Sequence, residues 1–469
     1  AYYNFKQITP ISKLYTLSLL KQYICAIKLN DKKTAQLKLL SLIKISKDKN
    51  IRPYAMYNEA ILAMDLKLNT KERSLKKFNK IISNYPNNDF AYASAYRAAG
   101  LSVDKYYKKQ KYIEYLEYAP IGKYSLLALD SLKPLNTILT DKDKEIIADS
   151  YYLNSKYEEA LKYYKETDFS KNWFKIAKCY KTLNKKEDEK ETIIKGFNLE
   201  QSEVEEKDID NAINRYIALI GGNKIQILQD LYNNNPHSYI YPTVIYNLAE
   251  ATSSIRAIKL YEQIVKSYPN SSWASNSLWE ILWYNYNQTH WEKCIQLGEM
   301  HKAKYSKSAD APRVAYWSAR AMLKEKKKQI ARETFYRIIK DYPLSYYAFL
   351  SAKRLKHSKS DKIIIKKPLP EFDINSINKF IFKDDKTLLY LADNDDFETI
   401  DELKINDEYV KAWVMFKKGN YPNSINTAKN EYLKKLKEDE EFKASYSDKE
   451  LKLIYPVLFN EEINEYSQE

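Results

Sequence analysis

The chain has 469 residues, only 7 glycines and a formal net charge of +15. Strand-and-loop enzymes use glycine in tight turns and phosphate loops, so this content disfavours that class and favours helices joined by short connections. Lysine supplies most of the positive charge, and the abundance of Lys, Asn, Ile and Tyr is typical of an AT-rich genome. We therefore interpret most lysines as solvated residues of helix surfaces and take the charge as weak evidence for an anionic partner.

The sequence contains no motif for nucleotide binding, serine-hydrolase chemistry or metal coordination. Cys25, Cys179 and Cys294 lie far apart and form no CxxC pair, and the four histidines lack metal-ligand spacing. We expect the cysteines to be small buried apolar residues. We predict no catalytic residue, no metal site and no cofactor in this chain.

The apolar segments are too short for a membrane helix, which needs about 18 to 20 residues. The first residues have no basic start or apolar region of the kind found in a signal peptide. Such an N-terminus is compatible with a cytosolic protein and with an exported protein whose leader has been removed.

A short frame recurs three times along the chain: an aromatic residue, Ile and a β-branched residue three and four positions later, then Tyr-Pro. Its copies lie at 78–86, 261–269 and 335–343. Positions i, i+3, i+4 and i+7 lie on one side of a helix, so the frame predicts a buried stripe. Proline cannot continue that helix and is suited to the first turn of the next. Each copy therefore predicts the end of one helix, a turn, and the start of another.

The frame resembles the end of a tetratricopeptide repeat, which has a small residue twelve positions before the proline. Ser74, Ala257 and Ala331 occupy that position, and the segment Tyr157–Tyr164 resembles another second helix of the same kind. Pro236 and Pro269 lie 33 residues apart, close to the repeat length of this family. We predict an all-α superhelix of tetratricopeptide-like antiparallel helix pairs over residues 1–356, shaped as a ring or horseshoe.

The repeat pattern ends near residue 356. Residues 357–375 are lysine-rich and contain Pro368-Leu369-Pro370, which favours an extended linker. Helical periodicity resumes near Lys386, and a turn at 419–422 leads into a further helix. We therefore expect a smaller helical domain over 376–469.

A more specific resemblance lies in residues 313–355. The sequences YWSAR at 316–320 and DYPLSYYA at 341–348 resemble two motifs late in the superhelical domain of the soluble lytic murein transglycosylases. The sequence LIYPVLF at 453–459 is similar to the segment that joins the linker domain of that family to its catalytic domain.

This resemblance implies that the chain is the superhelical and linker part of a peptidoglycan-cleaving enzyme of the cell envelope. The catalytic glutamate of the family lies in a Glu-Ser motif, and this sequence contains no Glu-Ser dipeptide. The resemblance therefore implies a periplasmic or exported scaffold, with its leader removed, that is inactive alone and would hold a catalytic domain on anionic glycan strands.

Half of the arginines fall between residues 313 and 354. As candidates for contact with glycan or with a catalytic domain we select seven residues: Arg313, Tyr316, Trp317, Arg320, Arg337, Tyr346 and Arg354. The simpler interpretation is that Arg320 and Arg354 form structural ion pairs between helices. The alternative function is a free-standing adaptor for protein partners in the cell envelope. Nucleic acid is disfavoured, because the aromatic residues follow helix-packing offsets.

Overall fold

The computed structural model describes residues 2–10, 14–86, 88–122, 124–234, 236, 238–252, 254–342, 345–356 and 374–438. Within these ranges the chain is helical with no strand, and consecutive helices pack as pairs. The predicted all-α class and the tetratricopeptide-like pairing are thus confirmed.

The chain divides into two compact units, which we call unit 1 (residues 1–154 and 369–469) and unit 2 (residues 155–368). The first described helices of unit 1 are α1 Tyr2–Lys6, α2 Tyr15–Lys28, α3 Lys32–Ile45, α4 Ile51–Asp65, α5 Lys71–Asn84, α6 Asp89–Leu101, α7 Lys105–Tyr118, α8 Ser125–Leu132 and α9 Asp141–Leu153. A short 3-10 helix, Lys133–Leu135, follows α8.

Unit 2 contains the helices α10 Tyr157–Tyr164, α11 Phe169–Thr182, α12 Lys186–Phe197, α13 Glu206–Ile220, α14 Lys224–Asn234, α15 Tyr241–Ala251, α16 Ser254–Ser267, α17 Ser272–Asn287, α18 Trp291–Tyr305, α19 Ala311–Lys324, α20 Lys328–Asp341 and α21 Tyr346–Lys356. Unit 1 then resumes with α22 Ile374–Ile381, α23 Lys386–Asp393, α24 Phe397–Glu402, α25 Glu408–Lys417 and α26 Tyr421–Glu438.

The domain boundaries expected at 356 and 376 stay a prediction, because compact units grouped by contact need not be separately folding domains. Pro368-Leu369-Pro370 and the segment 453–459 lie outside the described residues. The helix predicted after the turn at 419–422 is present as α26, and Gly419 precedes it with a φ of 76°.

The recurring frame packs as predicted. Its aromatic residue and its first branched residue are buried in all three copies, as are the small residues twelve positions before the proline: Phe78, Ile81, Tyr261, Ile264, Phe335 and Ile338, with Ser74, Ala257 and Ala331. Close approach at the small residue lets the two helices of a pair bury this stripe.

The prolines of the first two copies do not open the next helix. Pro86 and Pro269 lie in the turn, and the helix starts three residues later. The residues that cap α6 and α17 are Asn88 and Ser271, whose side chains accept hydrogen bonds from the backbone N–H groups of Phe90 (2.9 Å) and Trp273 (3.2 Å). A polar cap satisfies an otherwise unpaired helix donor, which proline cannot do. Pro343 of the third copy lies outside the described residues.

In unit 2 the helices that open successive pairs also contact one another, α15 with α17, α17 with α19, and α19 with α21. We call these the first helices, and α16, α18 and α20 the second helices. Stacking of this kind produces an extended surface from the first helices of several repeats. Gly298 allows α18 to approach α19 closely, since a Cβ atom there would lie 2.3 Å from Ser318 Oγ.

A candidate interaction surface on the first helices of unit 2

The most distinctive side chains of unit 2 lie on the first helices α17, α19 and α21. They form what we call the aromatic–arginine face: Trp279, Trp283 and Tyr286 of α17, Trp317 and Arg320 of α19, and Arg354 of α21. Trp279, Trp283 and Tyr286 are spaced four and three residues apart, which places them on one side of α17.

The aromatic rings of this face pack against one another. On α17 the Trp283 ring is stacked on Trp279, with ring centroids 5.5 Å apart, and on Tyr286, at 5.8 Å. Trp317 of α19 meets Trp283 and Tyr286 edge-on, at 4.7 and 4.8 Å. Edge-to-face pairs of this separation are favourable and fix ring orientation. The rings therefore form a preorganised platform that spans two repeats.

Two arginines lie over aromatic rings at this platform. The guanidinium of Arg320 is 5.2 Å from the Trp317 ring centroid, and that of Arg354 is 5.8 Å from the ring of buried Tyr316. The Nε of Arg354 also donates a hydrogen bond of 2.7 Å to the Tyr316 hydroxyl. Burial raises the pKa of Tyr286, and both guanidinium groups act against that rise. Both cations thus lie close to the same tyrosine.

The structural ion pairs expected for Arg320 and Arg354 are not formed within the described part of the chain. Among the described residues no carboxylate lies within ion-pair distance of either guanidinium. Both groups are instead held by cation–π contact with rings of the first helices.

The remaining candidates do not all join this face. Arg313, near the start of α19, does meet the face, with its guanidinium 4.2 Å from the Trp279 ring centroid, but unlike Arg320 and Arg354 it is paired with a carboxylate, that of Asp310. Arg337 is on the second helix α20, where it donates to Thr334 Oγ1 at 3.3 Å and lines a cavity of about 300 Å³. Tyr346 is 66% exposed on α21, beside Tyr347 and Phe349.

Next to the arginines lies a second charged cluster, which we call the acidic group: Glu250 of α15, Glu280 of α17, and Asp310, the residue before α19. Asp310 forms an ion pair with Arg313. Glu250 accepts a hydrogen bond from the hydroxyl of Tyr261, on the second helix α16. Arg313 therefore pairs with one of the three carboxylates and lies near a second, that of Glu280.

The environment of Glu280 shows that this cluster carries excess negative charge. Burial raises the pKa of Glu280, the charge of Glu250 and that of Asp310 raise it further, and Arg313 opposes the rise. Carboxylates brought together in this way resist ionisation unless a cation joins them.

Beneath this surface, a buried polar cluster joins three consecutive helices. The Ser275 hydroxyl lies 2.9 Å from His301 Nε2, 2.8 Å from Ser308 Oγ and 3.4 Å from Asp310 Oδ2. Burial and the charge of Arg313 lower the pKa of His301 to about 4. The carboxylate contacts the serine and not the imidazole, so these residues lack the order of a hydrolase triad. We interpret the cluster as a structural contact between repeats.

No group of three or more potential metal ligands occurs within the described ranges. Across the same residues, none of the helices is both long and apolar enough to cross a membrane. Burial raises the pKa of the Cys179 and Cys294 thiols to about 12 and about 11, which confirms that these two cysteines are inert buried residues. Cys25 is only partly buried.

Trp279, Trp283 and Tyr286 were not among the residues selected from the sequence, and neither was the acidic group. The sequence did contain a signal for the three aromatic residues, because their spacing places them on one side of α17, the first helix of the pair that precedes α19. The acidic group had no such signal, since Glu250 and Glu280 are 30 residues apart and meet only through stacking of α15 on α17.

Comparisons with known proteins agree on the repeat class. A tetratricopeptide-repeat family profile matches residues 313–345, which cover α19 and α20. The sequence gives no match among curated proteins.

Several solved structures align with this chain at low TM-scores. One is the tetratricopeptide-repeat domain of P58(IPK), at 12% identity and a TM-score of 0.25, covering 74% of this chain and 99% of that one. A second is Naa15/Naa10 bound to HypK-THB, at 13% identity and a TM-score of 0.27, covering 94% of this chain and 66% of that one. A third is the human IFIT1 dimer with PPP-AAAA, at 14% identity and a TM-score of 0.23, covering 90% of this chain and 83% of that one. TM-scores of this size support no argument about function.

Proposed function

We propose that this chain is a helical-repeat scaffold that binds a partner protein at the aromatic–arginine face of unit 2. One observation carries the proposal: Arg320 and Arg354 are held over aromatic rings, and no carboxylate among the described residues neutralises them. Tryptophan, tyrosine and arginine are the residue types most often responsible for binding energy at protein interfaces.

The preorganisation of the face supports the same conclusion. Interlocked rings lose little conformational freedom when a partner binds, so less free energy is spent on ordering side chains. The face also extends over the first helices of three consecutive pairs, and repeat proteins use such surfaces to bind extended segments. Nucleic acid fits less well, because the rings already pack on one another and bases would have to displace them.

The test is quantitative capture of partners from a native extract by the purified chain. We expect Arg320→Ala/Arg354→Ala to lose the specific partner that the unmodified chain retains. The matched control is Lys304→Ala/Lys340→Ala, which removes the same charge from exposed positions on the second helices α18 and α20. Equal loss in both variants, or no specific partner at all, would contradict the proposal.

A second candidate is the scaffold of a peptidoglycan lytic transglycosylase in the cell envelope. Its support is the resemblance of residues 316–320 and 341–348 to that family, because Trp317 and Arg320, which carry the first motif, also belong to the aromatic–arginine face. On this reading the chain holds a catalytic domain on glycan strands and is exported with its leader removed.

Co-sedimentation with purified peptidoglycan separates the two candidates. The scaffold candidate predicts that the chain pellets with peptidoglycan, releases no anhydromuropeptides, and loses binding on Arg320→Ala/Arg354→Ala. If the chain stays in the supernatant while the extract yields a protein partner, the adaptor proposal stands alone.

A further inference from the structure

We infer that the partner segment carries its charges in order, with a basic end on the acidic group and an acidic end on Arg320 and Arg354. This inference rests on the proposed function and specifies the chemistry of the partner. It follows from the opposite charge of two neighbouring parts of one surface.

The positive end of the surface is formed by α19 and α21. The guanidinium of Arg320 lies 5.2 Å from the Trp317 ring centroid and that of Arg354 lies 5.8 Å from the Tyr316 ring centroid. Neither has a carboxylate partner among the described residues. Guanidinium groups bind carboxylates through paired, charge-assisted hydrogen bonds. The Nε of Arg354 already donates to Tyr316, so the two terminal nitrogens of that group are the donors left for a partner. A carboxylate of the partner is therefore the expected ligand at this end.

The negative end is formed by α15, α17 and the start of α19. Glu250 accepts a hydrogen bond from the Tyr261 hydroxyl, and Asp310 forms an ion pair with Arg313. Glu280 lies near enough to both carboxylates for their charges to raise its pKa. Arg313 balances only one of the three charges. A lysine or arginine of the partner would neutralise the excess, and an acidic segment would be repelled from this end.

The distance between the two ends sets the length of the segment. Glu280 lies on α17 and Arg354 on α21, so two helix-to-helix steps separate them. Packed helices lie about 8 to 10 Å apart, which gives roughly 20 Å between the ends. An extended peptide advances about 3.3 Å per residue, so about six residues span that distance.

Uniformly charged polymers do not fit this arrangement. A nucleic acid or another polyanion would satisfy the arginines but would bring phosphates or carboxylates against the acidic group. A segment with both charges satisfies both ends, and the reversed order satisfies neither. The order of charge is thus the property that the surface selects.

The inference can be tested with end-capped, fluorescent peptides of about nine residues, measured by anisotropy at low salt. The probe carries two lysines at one end and two glutamates at the other, joined by a neutral Gly/Ser/Ala spacer, and is made in both chain directions. Its control has the same composition with lysine and glutamate alternating. Exposed ion pairs change affinity by about two- to fivefold each, so we expect one segregated peptide to bind at least about fivefold tighter than the control.

Variants assign that preference to the two ends. Arg320→Ala/Arg354→Ala and the nearly isosteric Glu280→Gln should each lower the preference, whereas Lys304→Ala/Lys340→Ala should leave it unchanged. Equal binding of segregated and alternating peptides would overturn the inference, and so would tighter binding of an all-acidic peptide. If the extract partner still depends on the arginines in that case, the proposed function stands and only the charge order falls.

Discussion

The two units carry similar aromatic rows on the helices that open their pairs, and within the described residues a later helix of the chain, α24, reaches the row of unit 1. In unit 1 the rings of Tyr23, Tyr54 and Phe90 follow one another from α2 to α4 to α6, with centroids 6.0 and 5.4 Å apart. Glu402, the last residue of α24, lies beside Tyr23 and Tyr54. In unit 2 the corresponding row carries Arg320 and Arg354.

The contact of α24 with α2 in unit 1 shows which kind of segment binds to such an aromatic row. Lys21 of α2 forms an ion pair with Asp396 and donates a hydrogen bond of 2.6 Å to Thr399 Oγ1. A short helix with acidic residues is thus held on the first helices by aromatic and cationic side chains together. The row of unit 2 has the same kinds of side chain, and no carboxylate within the described part of the chain pairs with its arginines. The comparison teaches that a carboxylate-bearing segment suits this surface.

The largest difference expected between the two regions concerns their tryptophans. Trp413 of unit 1 is fully buried, lies 5.2 Å from the Phe382 ring centroid and donates to Asn378 Oδ1 at 2.8 Å. Trp413→Ala should lower the free energy of unfolding by about 3 to 5 kcal/mol. Trp317→Ala, at a partly buried position, should cost roughly half of that. Urea unfolding followed by circular dichroism measures both.

Hydrogen exchange locates the effect of Trp413→Ala. Exchange should rise in α25 and α26 and stay unchanged in α17 and α19. An equal rise of hydrogen exchange in the helices of both units would show that Trp413 does not belong to a core confined to unit 1.

Acid should act in opposite directions on the stability contributed by His301 of unit 2 and by Glu402 of unit 1. The pKa of His301 in unit 2 is about 4, below its ordinary value of 6.5. The unfolded chain therefore binds the proton more tightly, so stability present above pH 6.5 is lost as the pH falls towards 4. The difference of about 2.5 pH units corresponds to about 3 kcal/mol.

The stability contributed by Glu402 in unit 1 depends on pH in the opposite direction. Burial raises its pKa, opposed by Lys28 and Lys21. The contribution of Glu402 to the free energy of unfolding is therefore complete below the pKa of its carboxyl in the unfolded chain. That contribution is lost as the pH rises through the pKa of Glu402 in the folded chain. Acid that weakens unit 2 should leave the contact of α24 with α2 and α4 intact.

Fluorine NMR of the chain labelled with fluorotryptophan can follow both regions at once. Of the seven tryptophans, Trp413 alone belongs to unit 1. Between pH 6.5 and 4 in moderate urea, the six signals of unit 2 should broaden or shift to unfolded positions before that of Trp413. The opposite order would contradict the assignment of acid sensitivity to His301.

A smaller effect is expected from the polar contact of α24 with α2. Lys21→Met removes the ion pair with Asp396 and the bond to Thr399 while keeping the length of the side chain. We expect a loss of about 1 kcal/mol in the free energy of unfolding. Lys195→Met is the control, because Lys195 pairs with Glu191 on an exposed helix surface and should change nothing measurable. A stability equal to the unmodified chain would show that Lys21 does not hold α24.

The smallest stability effect is expected at the aromatic–arginine face itself. Arg320→Ala should cost less than about 1 kcal/mol, the usual value of an exposed cation–π contact. Arg215→Ala is the comparison, since Arg215 makes two hydrogen bonds, of 2.7 and 2.8 Å, to buried Glu189 and should cost several times more. Thermal unfolding of both variants measures whether Arg320 is structural. A loss of stability in Arg320→Ala equal to that in Arg215→Ala would contradict a binding role for Arg320.

The sequence was sufficient for the features that depend on local periodicity. The frame at 78–86, 261–269 and 335–343 predicted which residues are buried, because a helix brings positions i, i+3, i+4 and i+7 to one side whatever surrounds it. Its proline was assigned the wrong role, since the capping side chains of Asn88 and Ser271 were not considered.

The features that depend on distant contacts were not predictable in this way. Nothing local indicates that Lys21 meets Asp396, 375 residues later, or that Glu250 lies near Glu280. The ion pairs expected for Arg320 and Arg354 are not found among the described residues, because the surroundings of both side chains are set by neighbouring repeats. Of the residues at 316–320, Trp317 and Arg320 belong to the aromatic–arginine face, whereas Tyr316, Ser318 and Ala319 are buried.

The most direct test of the central claim is photo-crosslinking from two positions in unit 2. Benzoylphenylalanine replaces Lys324, one turn beyond Arg320 on α19, or Tyr336 on the second helix α20, and both sites are exposed. Partner binding at the first helices predicts that irradiation of a native extract yields a discrete adduct from position 324 that Arg320→Ala/Arg354→Ala abolishes, and none from position 336. Equal adducts from both positions, or an adduct from 336 alone, would contradict it.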